Sequence, residues 1–257
     1  MFLEKITGRK RAYIEQRRDY YERLRKKARR QRSSDDFSRA LSCPGASVIA
    51  EIKKASPSAG TLTEKPAAAL AEAYSKAGAD AVSVVTEGYF FKGDISDIRA
   101  AKEFFKGPVL MKDFVISPLQ VAEAVCSGAS AVLLIAETLT GKDLGGLLRC
   151  CEDYGIESLV ELHGYEQIEK CLNSGARIIG VNSRNLSTLE VDPDNAFRLI
   201  EHIPESLIRV AESGISTRDQ VVELSKAGYD AFLVGSSILG SSDPVKKISL
   251  LKTGKLP

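Results

Sequence analysis

Four segments of this chain repeat one pattern: SKAGADAVSVV from Ser75, VCSGASAVLLI from Val125, LNSGARIIGVN from Leu172 and LSKAGYDAFLVG from Leu224. Each reads as a helix end, a glycine, a short turn and an apolar run. The glycine suits a left-handed helix C-cap. The apolar run suits a strand buried on both faces of a parallel sheet. The copies stand about fifty residues apart, room for two strand–helix units of about 25 residues each. Further short apolar runs fill the gaps: SVIAEI from Ser47, PVLMKD from Pro108, ESLVEL from Glu157 and SLIRVAES from Ser206. Helical patterns separate the runs at 66–77, 118–126, 142–153, 165–173, 194–202 and 217–227.

Eight strands alternating with helices predict an α/β chain folded as a closed (β/α)8 TIM barrel, one domain over 1–257. Residues 1–46 form an N-terminal helical arm covering the barrel, in which Phe2, Ile6, Tyr13, Tyr20, Leu24 and Ala28 recur at roughly helical spacing. The alternative is a doubly wound open sheet, which would carry a Gly-rich first turn. The turn after the first strand reads KKASPSAG instead.

Composition narrows the class of function. The five cysteines are odd in number and show no CxxC, which argues against a disulfide framework and for a reducing compartment. Neither a signal-like start nor a membrane-length apolar run is present, so a cytoplasmic protein is expected. The net charge of +2 hides an uneven spread, with Lys and Arg crowded into the arm. A solvated basic helix face is the favoured reading over a nucleic-acid or membrane patch, because no nucleic-acid motif follows.

In such a barrel, chemistry sits at the C-terminal ends of the strands. There this chain places Glu51 and Lys53, Lys112 and Asp113, Glu161, Asn182 with Arg184 and Asn185, Glu212 with Ser213, and Gly235 with Ser236. Side chains two apart share a face, so Glu51 and Lys53 enter the mouth together while Lys54 points away. Charges converging on one mouth are costly to desolvate unless they pair or bind something. ESGIS (212–216) and VGSSIL (234–239) follow the seventh and eighth strands, where barrels often cradle a phosphate. Gly214 and Gly235 permit close backbone approach to an anion, and Ser236 adds a hydroxyl. No metal-ligand cluster is evident, and His163 reads as a loop residue.

The motifs AEIKKASPSAG (50–60), PVLMKDF (108–114), AVLLIAETL (131–139), LVELHGYEQ (159–167), GVNSRNLSTLEVD (180–192) and VAESGIS (210–216) together resemble the indole-3-glycerol-phosphate synthase family, in order along almost the whole chain. The resemblance implies a cofactor-free carboxy-lyase of tryptophan biosynthesis. It would close, decarboxylate and dehydrate 1-(2-carboxyphenylamino)-1-deoxyribulose 5-phosphate to indole-3-glycerol phosphate. Lys112 would be the general acid at the ketone oxygen. Lys53 would hold the carboxylate and Glu161 would serve later proton transfers, with Glu51 orienting the lysines. Asn182 and Glu212 would hold substrate hydroxyls. Ser56, Ser213, Gly214, Gly235 and Ser236 would hold the phosphate, with Arg184 nearby. Phe91, Phe114, Leu133, Leu186 and Leu189 match positions lining the family's ring pocket. The partner implied is a phosphorylated small molecule, with no nucleic acid or membrane, in a monomer or weak homodimer.

Lys112 has to release a proton near neutral pH, so neighbouring lysine charge and partial burial are expected to lower its pKa, against the opposing pull of Glu51 and Glu161. Three motifs depart from the common family wording: GES becomes GSS (235–237), NNRN becomes NSRN (182–185), and Asp-Pro becomes Ser117-Pro118. Two rival readings remain. A Schiff-base aldolase or sugar-phosphate isomerase could use the same mouth, and a non-catalytic binding protein could use the basic arm.

Overall fold

The computed structural model describes residues 2–29, 36–43, 45–186 and 188–252, apart from the side chain at position 2. Eight parallel strands close into a barrel: β1 (Ser47–Ile52), β2 (Ala81–Val85), β3 (Val109–Lys112), β4 (Ala131–Ile135), β5 (Glu157–Leu162), β6 (Ile178–Asn182), β7 (Ile208–Glu212) and β8 (Ala231–Val234). Each strand pairs with its sequence neighbours, and β1 closes the ring against β8. The register sets Ile135 beside Glu161 and Asn182 beside Glu212. This is the TIM barrel that the repeats predict.

Strand alternation divides the apolar residues into two cores. Val48, Val84, Met111, Leu134, Val160 and Phe232 pack outward under the helices. Ile49, Leu110, Leu133, Leu159, Val210 and Leu233 fill the barrel interior. Both faces of the strands are therefore buried, which is why the sequence runs are continuously apolar. The interior packing is an apolar floor, and the charged residues at the strand ends stand on it. Truncating a floor residue such as Leu133 to Ala would cost about 2–5 kcal/mol.

The connecting helices are α4 (Ala67–Lys76), α5 (Ser96–Phe104), α6 (Pro118–Ser127), α7 (Gly141–Tyr154), α8 (Tyr165–Ser174), α9 (Asp194–Ile200) and α10 (Arg218–Ala227). A short α11 (Ser236–Leu239) and α12 (Pro244–Lys252) follow β8. The repeat glycine after α6, Gly128, has φ 84°, and its N–H donates to Val125 O while Ala129 N donates to Ala124 O. That is the paired closure of a left-handed cap. Ser117 caps α6 by accepting from Leu119 N at 3.3 Å, the job an aspartate would do there. Helices α5, α11 and α12 were not expected from the periodicity. The first buries only Ile98 and Ala101, too sparse a stripe to stand out.

The arm divides between the two ends of the barrel. α1 (Phe2–Gln16) lies at the C-terminal mouth, where Lys10 pairs with Asp113 at 2.7 Å and Arg9 stacks on Tyr89 at 3.5 Å. α2 (Arg18–Lys27) packs along α6, with Tyr20 Oη donating to Glu123 Oε1. α3 (Asp36–Leu41) sits at the opposite end. Its Phe37 and Leu41 are fully buried in the interior cluster, and its first N–H groups donate to Glu157 at the start of β5. A carboxylate at a helix N-terminus satisfies donors that have no intrahelical acceptor. The helical spacing expected in the arm shifts phase. The backbone breaks at Arg17 (φ −111°, ψ 24°), so Ile14 and Tyr21 are buried while Tyr13 is exposed. Residues 1, 30–35 and 44 of the arm, with the side chain of Phe2, lie outside the described residues.

Candidate active site

A cavity of about 470 Å³ opens at the C-terminal mouth, and every residue named from the sequence as catalytic or substrate-binding lines it. Its centre is ionic. Lys112 Nζ, at the end of β3, donates to Glu212 Oε2 at 2.7 Å and to Glu161 Oε2 at 3.1 Å. Across the mouth Lys53 pairs with Glu51. The side chains of Glu51, Glu161 and Glu212 are 4, 3 and 1% exposed, so all three carboxylates are withdrawn from water. Such burial is tolerable only because each carboxylate meets a cation. Lys54 turns outward onto Asp97 of α5 at 2.6 Å, as alternation requires.

The electrostatics correct one expectation. Burial works against charge on Lys112, but Glu212, Glu161 and Glu51 outweigh it and hold the ammonium above its ordinary range. The sequence shows that a lysine and glutamates share the mouth. It does not show that two carboxylates both reach the same nitrogen. Burial pushes the Glu212 carboxyl up to about 8; Lys112 pulls it down and Glu161 pushes it up again. Burial also raises Glu51, yet the charges of Lys53, Lys112 and Arg184 bring it below the usual carboxylate range. Raising Glu212 favours its protonated form and lightens the negative charge of the ring that also holds Lys53, Lys112 and Arg184. Such a ring suits an anionic ligand.

The loops after β7 and β8 meet on one side of the cavity. Ser213 and Gly214 take φ of 66° and 76°. The serine pays a steric cost for that conformation, of the kind that concentrates at functional sites. Ser236 opens α11 behind Gly235, where the first N–H groups have no intrahelical acceptor. Ser237 Oγ donates to Ile215 O at 2.9 Å and ties the two loops together. The GSS wording thus keeps its last serine as a brace and changes only the residue before it. Ser56 sits in a short antiparallel ribbon, Ala55–Ser56 with Gly60–Thr61, and its hydroxyl accepts from Ala59 N. Arg184 is more tightly held than expected: its Nη1 donates to Leu189 O at 2.7 Å and its N–H to Asn182 Oδ1 at 2.9 Å. His163 Nδ1 lies 2.8 Å from Asn182 O and braces the ends of β5 and β6, a loop role as expected.

The apolar side of the cavity carries Phe91, Phe114, Leu133, Leu186 and Leu189. The two phenyl rings lie 6.3 Å apart at 37°, leaving a tilted slot above the floor. Two residues that organise this side, Glu87 and Lys10, were not singled out from the sequence. Glu87 is buried and accepts from the N–H groups of Tyr89, Phe90 and Phe91, fixing the loop that presents Phe91. Lys10 and Asp113 join α1 to the end of β3. The only signal for Glu87 was an acidic residue two positions past a strand. The Lys10–Asp113 pair spans a hundred residues of sequence and had no local signal.

The comparisons with known proteins agree with the barrel fold. The family model described as "Indole-3-glycerol phosphate synthase" matches residues 3–251. The indole-3-glycerol phosphate synthase of Aquifex aeolicus is 38% identical over 252 residues, covering 97% of this chain and 98% of that protein. That of Parafrankia sp. is 44% identical over 231 residues, covering 90% of this chain and 86% of that protein. Among solved structures, 3-hexulose-6-phosphate synthase from Salmonella typhimurium superposes with a TM-score of 0.65 at 15% identity, over 80% of this chain and 96% of that one, a likeness of fold alone. With nearly its full length matched, this chain belongs to the indole-3-glycerol phosphate synthase family.

Proposed function

We propose that the protein converts 1-(2-carboxyphenylamino)-1-deoxyribulose 5-phosphate to indole-3-glycerol phosphate, carbon dioxide and water, as a carboxy-lyase of tryptophan biosynthesis acting in the cytoplasm. The observation that carries this reading is Lys112, clamped between two buried carboxylates and facing the Lys53–Glu51 pair over an apolar floor. The cavity offers what the substrate requires. The loops at Ser213–Gly214 and Gly235–Ser236, with Ser56, receive the phosphate. Lys53 receives the carboxylate, and Phe91, Phe114 and Leu186 enclose the ring.

The aniline ring is a weak carbon nucleophile, so its attack on the ketone needs a polarised carbonyl. Lys112 gives its proton to the ketone oxygen as the new carbon–carbon bond forms. Ring closure leaves a cationic iminium, and the electrons of the departing carboxylate neutralise it as carbon dioxide leaves. The hydroxyl made in the first step then leaves as water, with Lys53 supplying the proton. Glu161 removes the last ring proton, and Glu51 holds the lysines in register. Asn182 and Glu212 hold the substrate hydroxyls while Arg184 stiffens the loop beside them. Lys112 starts above its ordinary range, so its release of a proton depends on the bound substrate disturbing the Glu161 and Glu212 contacts. The whole chain acts as one barrel domain, as a monomer or weak homodimer, with α1 closing the ring slot.

Indole fluorescence tests the proposal. A rising signal from the carboxyphenylamino substrate, lost in Lys112→Ala, supports it. Folded protein that gives no signal refutes it, and a borohydride-trapped lysine adduct would favour an aldolase instead.

A further inference from the structure

Two glycines in the barrel wall stand where a neighbouring strand carries a buried carboxylate. Gly180 lies two residues before Asn182 on β6 and so faces the interior with it, one layer lower. A Cβ at Gly180 would overlap Glu212 Oε1 and approach Leu159 Cδ1 to 3.3 Å. Gly235 stands in the same relation to Glu51 Oε2. The case is sharpest at Gly180. Glu212 Oε2 is held by Lys112, whereas Oε1 is buried and meets no donor among the described residues, its neighbour being the Glu161 carboxyl, which bonds to Glu212 only when one of the two carries a proton. Oε1 is therefore located by the Lys112 contact on its sister oxygen, by the Glu161 carboxyl beside it and by the space that a side chain at Gly180 would fill.

We propose that Gly180 is a positioning residue of the active site, its missing side chain forming the seat that holds the Glu212 carboxylate against Lys112 Nζ. A methyl group there meets the far end of a flexible side chain rather than backbone, so the fold can absorb it. The carboxylate cannot, because its two oxygens move together and the 2.7 Å contact to Lys112 opens. Lys112 then loses one of its two anchors and its aim at the substrate. Displacement of this kind, near 1 Å, typically costs about a hundredfold in rate.

The turnover arm of the test rests on the reaction proposed above; a second arm does not. In the first, kcat is measured for Gly180→Ala, Glu212→Ala and the double variant. The seat predicts that Gly180→Ala lowers kcat at least about tenfold and that the double variant is no slower than Glu212→Ala alone. Losses that multiply, or a Gly180→Ala enzyme with near-normal kcat, overturn it. A Gly180→Ala chain that fails to fold also overturns it, since the glycine would then serve the wall. In the second arm, the side-chain carboxyl of Glu212 is titrated by carbon-13 NMR and assigned with Glu212→Gln. Gly180→Ala is expected to move its titration upward, because the Lys112 contact that pulls it down opens, and an unmoved or lowered titration overturns the seat whether or not the wild type makes indole. Wild-type protein without turnover, but with a titration that moves upward, would refute the reaction and leave the seat standing.

Discussion

Removing the ammonium of Lys112 tests both the chemistry and the electrostatics of the mouth. In Lys112→Ala, Glu161 and Glu212 lose a cation at 3.1 and 2.7 Å while remaining buried. Loss of the general acid is expected to lower turnover at least about a hundredfold, or roughly 2.7 kcal/mol of barrier. Breaking a buried pair from one side costs about 3–5 kcal/mol of stability when the orphaned charge persists. Here the orphan can take a proton, so the cost depends on pH. Glu212 already lies near 8 from an ordinary 4.5, with Lys112 among the influences pulling it down, so its loss sends the carboxyl higher. A carboxyl raised in the folded state contributes stability fully below its unfolded value and loses it as pH rises toward the folded value. In the wild type, Lys112 is held above its ordinary range and its contribution persists through neutral pH. The deficit of the variant should therefore be small near pH 5 and grow toward pH 9. Urea unfolding of both proteins at pH 5, 7 and 9, beside the indole assay, measures it. A deficit that is flat or largest at pH 5 would refute the paired-carboxylate reasoning, and near-normal turnover would remove Lys112 as the acid.

Four further outcomes are expected. Ser117→Ala should lower stability by about 1 kcal/mol through loss of the α6 cap, while Ser117→Asp should be near neutral, both read from urea midpoints. Glu87→Ala should raise KM more than it lowers kcat, because three N–H groups lose the acceptor that shapes the Phe91 loop; an unchanged KM would dissociate that loop from binding. Gly146→Ala, on α7 with no atom within 4 Å of the added Cβ, should raise stability by about 0.5–1 kcal/mol in thermal or urea unfolding. Indole formation should survive a chelator, since the iminium made by ring closure is itself the electron sink; loss of activity restored by a divalent ion would refute that scheme.

Local patterns made the barrel legible before the structure. The repeated glycine-turn-strand unit, the apolar runs at Ser47 and Glu157, and helices such as Tyr165–Ser174 are each encoded within a window of ten to fifteen residues. The sequence-named residues that line the mouth were also readable, because a closed barrel converts "end of a strand" into "rim of one cavity" whatever the sequence distance. The weak helix α5 and the break at Arg17 were not readable. One has too few apolar positions, and the other rests on backbone angles without a glycine or proline to mark it.

Strand order, periodicity and the residue types that line the mouth were thus determined by the sequence alone. The charge state of the mouth was decided by the tertiary structure. Lys112 looked like a lysine to be lowered by its neighbours; it is raised because β5 and β7 both deliver carboxylates to its nitrogen. The Lys10–Asp113 latch, the plug of Phe37 and Leu41, and the seat at Gly180 likewise join residues distant in the chain. The physical reason is range. Propensity and periodicity act between neighbours in sequence, whereas desolvation and Coulomb interaction act between neighbours in space, and only the closed barrel makes Lys112, Glu161 and Glu212 neighbours.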